Sequence, residues 1–353
     1  MKRILLFLSV GLLLVFAASA AASGTDGAID SYSLWLGTHY TDFADYNKKV
    51  GEYRLFSDNL FPEFKLDYYS RNENGTFDLS GHYFDYENAD GRLHTVVGDQ
   101  FKANVRYRSM TRQIGQDLLQ NIEAREWIGK PGGKFLTHDL ADSGADYNLH
   151  RQEIQSNAEL LLSHKNNVRM LVAHRFIREE GEKQSIANSH CFSCHLTSET
   201  MPVDKRTHQL SAGIEAEVNK YDVGYTFGYR KFESHAPDQY AAYDDALHPT
   251  LGTSGDEFGS RLIFDGETVP VGVLPETEKL SHKMEVKGDL GKGRFAGAFF
   301  YNTIENRNDN YTGTKLESQA YGGNFNYTVA LNRKTRLTAK LAGSRIKNDN
   351  VAV

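Results

Sequence analysis

Along most of this chain, apolar and polar residues alternate with a period of two. In Phe101-Lys102-Ala103-Asn104-Val105-Arg106-Tyr107-Arg108, the Phe, Ala, Val and Tyr fall on one side; the Lys, Asn and two Arg fall on the other. A helix would scatter those four apolar residues around its cylinder, whereas a strand gathers them on one face, so the spacing predicts a strand. The same alternation in Phe64–Tyr68, Phe77–Tyr83, Tyr221–Tyr229, Phe295–Tyr301, Tyr321–Val329 and Leu337–Leu341 predicts further strands. Short polar segments rich in Gly and Asn, at 72–75, 88–91, 164–167, 219–220, 291–293 and 332–334, have the composition of tight hairpin turns.

Matching this template along the chain gives about 14 strands of roughly 9 to 12 residues, the length of a tilted strand crossing a bilayer. The connections are unequal. From residue 109 onward, short turns alternate with long polar segments at about 109–151, 179–206, 231–278 and 303–316. Short links at one end and long loops at the other are the habit of a transmembrane barrel, so the fold class is all-β, an antiparallel transmembrane β-barrel. The polar faces carry Lys102, Arg106, Arg108, Asp222 and Arg230, suited to a wet lumen, and the opposite faces suit lipid. A soluble sandwich or β-helix also alternates and is the competing architecture. The last residues, Asn348 to Val353, follow a strand without the terminal aromatic usual in such barrels. That favours an incomplete barrel, the N-terminal part of a longer one, over a closed barrel.

Composition fits this reading: 19 Tyr, 20 Phe and 31 Gly against 7 Pro suit aromatic-rich strands joined by Gly turns. Met1-Lys2-Arg3 precedes a run from Ile4 to Phe16 that is apolar except for Ser9 and Gly11, and small residues follow from Ala17 to Ala22. This is the layout of a secretory signal peptide, too short to span a bilayer, with cleavage after Ala20 or, second, Ala22. Residues 1–20 are therefore read as signal and 21–353 as barrel. Losing Lys2 and Arg3 from 40 basic residues leaves 38 against 46 acidic ones, a net charge of −8, which argues against nucleic acid as a partner.

One motif carries chemistry. Cys191-Phe192-Ser193-Cys194-His195 has the C-x-x-C-H spacing of a c-type haem attachment site. Two thiols separated by two residues can each form a thioether with a haem vinyl group, and the next imidazole then reaches the iron as proximal ligand. The reading is one covalent haem c in a polar connection at about 179–206. The local candidates for the sixth ligand are His190, Met201 and His208, and each also reads as an ordinary surface residue. His174, near a strand end, reads as a lumen or rim residue. A C-x-x-C disulfide, a dithiol or a zinc site are the competing uses of the two cysteines. The acidic pairs Asp244-Asp245 and Glu179-Glu180 read as solvated loop. Pro131-Gly132-Gly133-Lys134 reads as a turn, since Phe135 stands where a phosphate loop needs Ser or Thr.

Signal peptide, long alternating strands, unequal connections and a cytochrome-type motif together resemble the organisation of the MtrB/PioB family of outer-membrane porins. The resemblance spans about residues 25 to 350 and is one of organisation rather than of a diagnostic motif. It implies an outer-membrane barrel that sheathes a multihaem c-type cytochrome in a porin–cytochrome electron conduit, an electron-transfer part rather than an enzyme. Two departures stand out. Family members often carry a C-x-x-C pair near the mature N-terminus without the haem histidine, and the barrel counted here is smaller. The alternatives from other classes are a solute porin with a C-x-x-C disulfide and a soluble periplasmic monohaem cytochrome.

Overall fold

The structure, a computed structural model, describes residues 29–40, 60–119, 137–140, 142, 144–189, 195–242, 268–307 and 316–348. The signal segment, Pro131–Phe135 and Asp244-Asp245 lie outside the described residues. Sixteen strands form among the described residues: β1 (Ile29–Tyr40), β2 (Leu60–Asn72), β3 (Gly75–Tyr83), β4 (Ala89–Val97), β5 (Phe101–Ile114), β6 (Thr137–Leu140), β7 (Tyr147–Ser163) and β8 (Val168–Ser189). They continue as β9 (His195–Val218), β10 (Tyr221–Ser234), β11 (Gln239–Ala242), β12 (Thr268–Val271), β13 (Thr277–Leu290), β14 (Gly293–Asn306), β15 (Glu317–Ala330) and β16 (Arg336–Asn348). Every run read as a strand from its alternation lies inside one of these.

Fourteen strands make a single sheet. The order is β1-β2-β3-β4-β5-β7-β8-β9-β10-β13-β14-β15-β16, with each strand antiparallel to its neighbours, and β6 lies parallel beside β9. β11 and β12 pair with each other alone. Among the described residues β1 and β16 are free edges, so the sheet is open.

The links at one end are short: 73–74, 98–100, 164–167, 219–220, 291–292 and 331–335. The opposite end carries the long connections 41–59, 115–146, 235–276 and 307–316, with two shorter links at 84–88 and 190–194. One turn sits earlier than its composition predicts. Ala89, Asp90 and Gly91 belong to β4, where Gly91 pairs with Gly81. The bend is 84–88 instead, because the buried Asp85 closes it first: its Oδ1 accepts the backbone N–H of Glu87 at 2.8 Å and of Asn88 at 2.7 Å. A further turn at 98–100, entered through Gly98 at φ 54°, escaped the turn composition.

Cross-strand partners share a face. Leu34 opposes Leu66, Tyr68 opposes Leu79, Leu93 opposes Val105 and Ala158 opposes Val172. Ala212 opposes Phe227, Tyr225 opposes Met284 and Phe325 opposes Leu341. One apolar face therefore runs unbroken from β1 to β16. It has no cover. Among the described residues only Phe61, Leu119, Tyr147, Met201 and Val203 are buried hydrophobics, and none belongs to this band, whereas Leu36 is 71% exposed, Phe299 50% and Leu341 73%. A soluble sandwich would bury such a face in its core; here it is the surface offered to lipid. Tyr107, Phe176, Tyr229, Tyr301 and Tyr321 stand along its border nearer the long connections, and Phe77, Phe101, Tyr221, Phe295 and Tyr327 along the other. Beyond the first border the same face becomes charged, with Arg178, Glu180, Asp204, Arg206 and Glu233.

Candidate functional site

The two longest described strands, β8 of 22 residues and β9 of 24, end on either side of the C-x-x-C pair in the sequence. Their register runs unbroken from Phe176 opposite His208 to Ser189 opposite His195. At about 3.3 Å per residue, β8 extends about 43 Å from Phe176 to its end. The segment 179–206, read from sequence as a polar connection, is therefore mostly a hairpin standing past the apolar band. Only 190–194 joins the two strands. Alternation cannot mark such a hairpin. Past the band charged and polar residues stand on both faces, and Glu179-Glu180-Gly181-Glu182-Lys183 has no apolar side to repeat.

Ion pairs gather at the base of the hairpin, two of them across its strands and one, Arg206–Asp204, along β9. Lys205 reaches Glu179 at 3.1 Å, Arg206 reaches Asp204 at 3.1 Å and Arg178 lies 3.6 Å from Asp204. Burial alone would raise the Asp204 carboxyl, but the Arg206 hydrogen bond and the Arg178 charge hold it below its ordinary value.

Higher up, the hairpin is braced from two directions. Asp142 Oδ2 accepts the Thr200 N–H at 2.8 Å, and the fully buried Tyr147 places its hydroxyl 3.2 Å from Thr200 Oγ1. The Gln184 amide donates to Ser198 Oγ and to the Asp117 carbonyl, both at 2.7 Å, and accepts the Asp117 N–H. These contacts bring in the chain between β5 and β7. From the connection that holds β11 and β12, Met201 and Val203 are buried with Pro237, Gly272 and Leu274, and the Gln239 amide donates to the Thr200 carbonyl. Hydrogen bonds from Thr200, side chain first and then backbone, hold the Asp142 carboxyl below its usual value.

The structure separates the residues singled out from sequence. Cys191, Cys194 and His190 lie outside the described residues. His195 opens β9, its backbone in register with Ser189 on β8 and Thr137 on β6. Met201 and His208 are on the same extended strand, about 20 and 43 Å from His195 by strand rise. Both residues therefore stand well away from the start of β9. Met201 packs against Gly272, and His208 rests on Phe176 with ring centroids 4.7 Å apart. His174 departs from its lumen-or-rim reading. It pairs with Leu210 within the apolar band, its ring 6.1 Å from that of His208.

Sequence reasoning missed β6, which sets His138 in register with Leu196, one residue from His195. A four-residue strand gives no periodicity by which to find it. Among the described residues no group of three or more His, Cys, Asp or Glu is set to hold a metal ion. Two thiols followed by an imidazole suit the tethered, proximal side of a haem.

The family of outer-membrane β-barrel porins described as MtrB/PioB matches residues 41–352. The chain belongs to the MtrB/PioB family. No curated protein matches it. Solved structures similar to this MtrB/PioB chain include the copper transporter OprC, at 8% identity and TM-score 0.37, covering 91% of this chain and 58% of OprC. A loop L8 deletion mutant of OmpT, an outer-membrane protein of Vibrio cholerae, aligns at 7% identity and TM-score 0.27, covering 91% and 95%. The monoaromatic hydrocarbon channel CymD aligns at 10% and 0.28, covering 91% and 82%. The chain thus spans little more than half the length of OprC. As an MtrB/PioB porin it resides in the outer membrane, and the uncovered apolar band is its lipid contact.

Proposed function

We propose that this porin takes part in electron transfer across the outer membrane, sheathing a multihaem c-type cytochrome and carrying one c-type haem on Cys191 and Cys194 with His195 as proximal ligand. The observation that supports the proposal is where the motif stands in the chain, between Ser189, the last residue of β8, and His195, the first of β9. Those two strands form a hairpin braced by Asp142, Tyr147, Gln184 and Gln239. In barrels of this class short turns are periplasmic and long loops extracellular, so the tip belongs to the outer side. A haem there extends a chain of haems beyond the lumen. The barrel keeps lipid away and holds redox centres in place, and no bond to a substrate is made or broken.

When bound, the haem supplies a one-electron couple. The chain's own residues tether it, hold its proximal imidazole at the start of a strand and keep that strand from fraying. The second axial position falls to the partner or to the connections around the tip.

Haem staining of a denaturing gel tests this directly, because thioether-bound haem stays with the polypeptide. The full-length chain should stain, and Cys194→Ser should lose at least the larger part of the stain while keeping the heat-modifiable mobility of a folded barrel. A normal haem band in Cys194→Ser would refute the attachment. An unstained wild-type chain whose two thiols prove bridged would leave a solute porin.

A further inference from the structure

On the face opposite the apolar band several charges are paired: Arg169 reaches Glu159 at 2.9 Å, Arg175 reaches Glu153 at 2.7 Å and Lys283 reaches Glu285 at 3.0 Å. Arg230 and Lys279 face each other across β10 and β13 without such a partner among the described residues, and the β4–β5 wall carries a longer row of this kind. Arg92, Lys102, Arg106 and Arg108 are all exposed on this face, and among the described residues none of the four has a hydrogen-bond or ion-pair partner. Arg92 stands directly opposite Arg106. Like charges facing each other across a strand pair are destabilising.

The carboxylates that face them from β7 are already engaged. Glu159 faces Lys102 and Glu153 faces Arg108, but Arg169 holds the first, and Arg175 and Arg151 hold the second. Asp90 faces Arg108 and lies 4.0 Å from His82. From Lys102 to Arg108 the row runs about 20 Å along β5, at roughly 3.3 Å per residue.

We infer that the inward wall of β4 and β5 is a docking strip for the carboxylate-rich surface of a polypeptide seated in the lumen. The inference rests on the sheathing role proposed above and adds which wall makes the contact and with what charge. A lumen with low-dielectric walls focuses the field of unpaired cations, and an acidic surface would remove the Arg92–Arg106 repulsion as it binds. A row of this length suits many weak contacts with an extended partner better than one small anion held at one point.

The test uses the purified full-length chain in detergent and fluorescently labelled poly-L-glutamate as probe, with anisotropy as readout. The wild-type chain should bind it, and binding should weaken as salt rises. The fourfold variant Arg92→Gln/Lys102→Gln/Arg106→Gln/Arg108→Gln should bind about tenfold more weakly, from several screened charge pairs acting together. Arg206→Gln/Lys231→Gln, on the opposite face, should bind as wild type does. Heat-modifiable mobility checks each fold; if the fourfold variant misfolds, Arg106→Gln alone should still weaken binding about threefold.

Equal binding by wild type and the fourfold variant, or by wild type and Arg106→Gln where that substitution stands in, would overturn the inference. Citrate displacing the probe at matched carboxylate concentration would make the strip a small-anion site and overturn it equally. An absent haem band, the failure mode of the attachment proposal, leaves this binding unchanged, so the two can fail separately.

Discussion

Single residues decide where this chain turns and where it is fastened. Asp85 is 1% exposed, and besides two backbone N–H groups it accepts the Asn88 side-chain amide on both carboxylate oxygens, at 2.9 and 2.8 Å. Asn88 in turn receives the Thr111 N–H on its Oδ1 at 3.2 Å, so one carboxylate fixes both the bend and its seat on β5. Asp85→Ala leaves these donors without their acceptor and should cost about 1–3 kcal/mol of stability. Urea unfolding in detergent micelles measures it, and a change within error of zero would show that the bend closes without the carboxylate. The position of this turn was not legible in the sequence, because Asn88-Ala89-Asp90-Gly91 is as good a turn by composition as 84–88. The C-x-x-C-H spacing at Cys191, Cys194 and His195 can be read from the sequence as a pattern, and its use as a haem tether rests on the proposal above. Spacing says less about Met201 and His208, which are near the motif in sequence but far from His195 along an extended strand.

At the scale of elements, legibility followed solvent. Strands bathed by lipid on one side and water on the other alternate visibly, as Phe101–Arg108 does. Past the aromatic border polar and charged residues occupy both sides, the alternation fades, and the upper parts of β8 and β9 read as loop although their register is continuous. What holds them there is polar bracing, and that makes the hairpin sensitive to acid. The Asp142 carboxyl titrates below its ordinary value of 3.8 through hydrogen bonds from Thr200. A carboxyl depressed by folding stabilises fully above its unfolded value and loses that contribution as pH falls through its folded value. The stability difference between the wild-type chain and Asp142→Asn should stay constant above pH 3.8 and close below it, followed by protease protection of β9 across a pH series. A gap that persists at the acid end would place the brace elsewhere. Because Ile186 pairs with Ser198, replacing 187–197 by Asn-Gly should shorten the hairpin in register. The shortened chain should keep its heat-modifiable mobility and lose its haem stain. Loss of the barrel itself would mean that the hairpin is part of the fold rather than an appendage.

For the whole molecule the governing fact is that no protein among the described residues covers the apolar band. In lipid that surface needs none, but backbone edges do, because each unpaired N–H and C=O in hydrocarbon costs several kcal/mol. The thirteen strands in line leave β1 and β16 running the same way. They cannot meet as antiparallel neighbours, and an all-antiparallel wall takes an odd number of further strands to complete. The assignment of the two faces is open to a paired substitution at one height in the sheet. Phe299 lies in the apolar band opposite Gly323, and Asn324, next to Gly323, pairs with Ala298 on the other face. Phe299→Arg sets a charge against the hydrocarbon core and should cost about 2–4 kcal/mol, whereas Asn324→Arg faces water and should cost close to nothing. Unfolding titrations of the two variants in vesicles give both values under one condition. Equal costs would mean that both faces meet the same solvent. A larger cost for Asn324→Arg would turn the sheet inside out, and would move the unpaired row at Arg92, Lys102, Arg106 and Arg108 from the lumen to the lipid, where four bare cations could not remain.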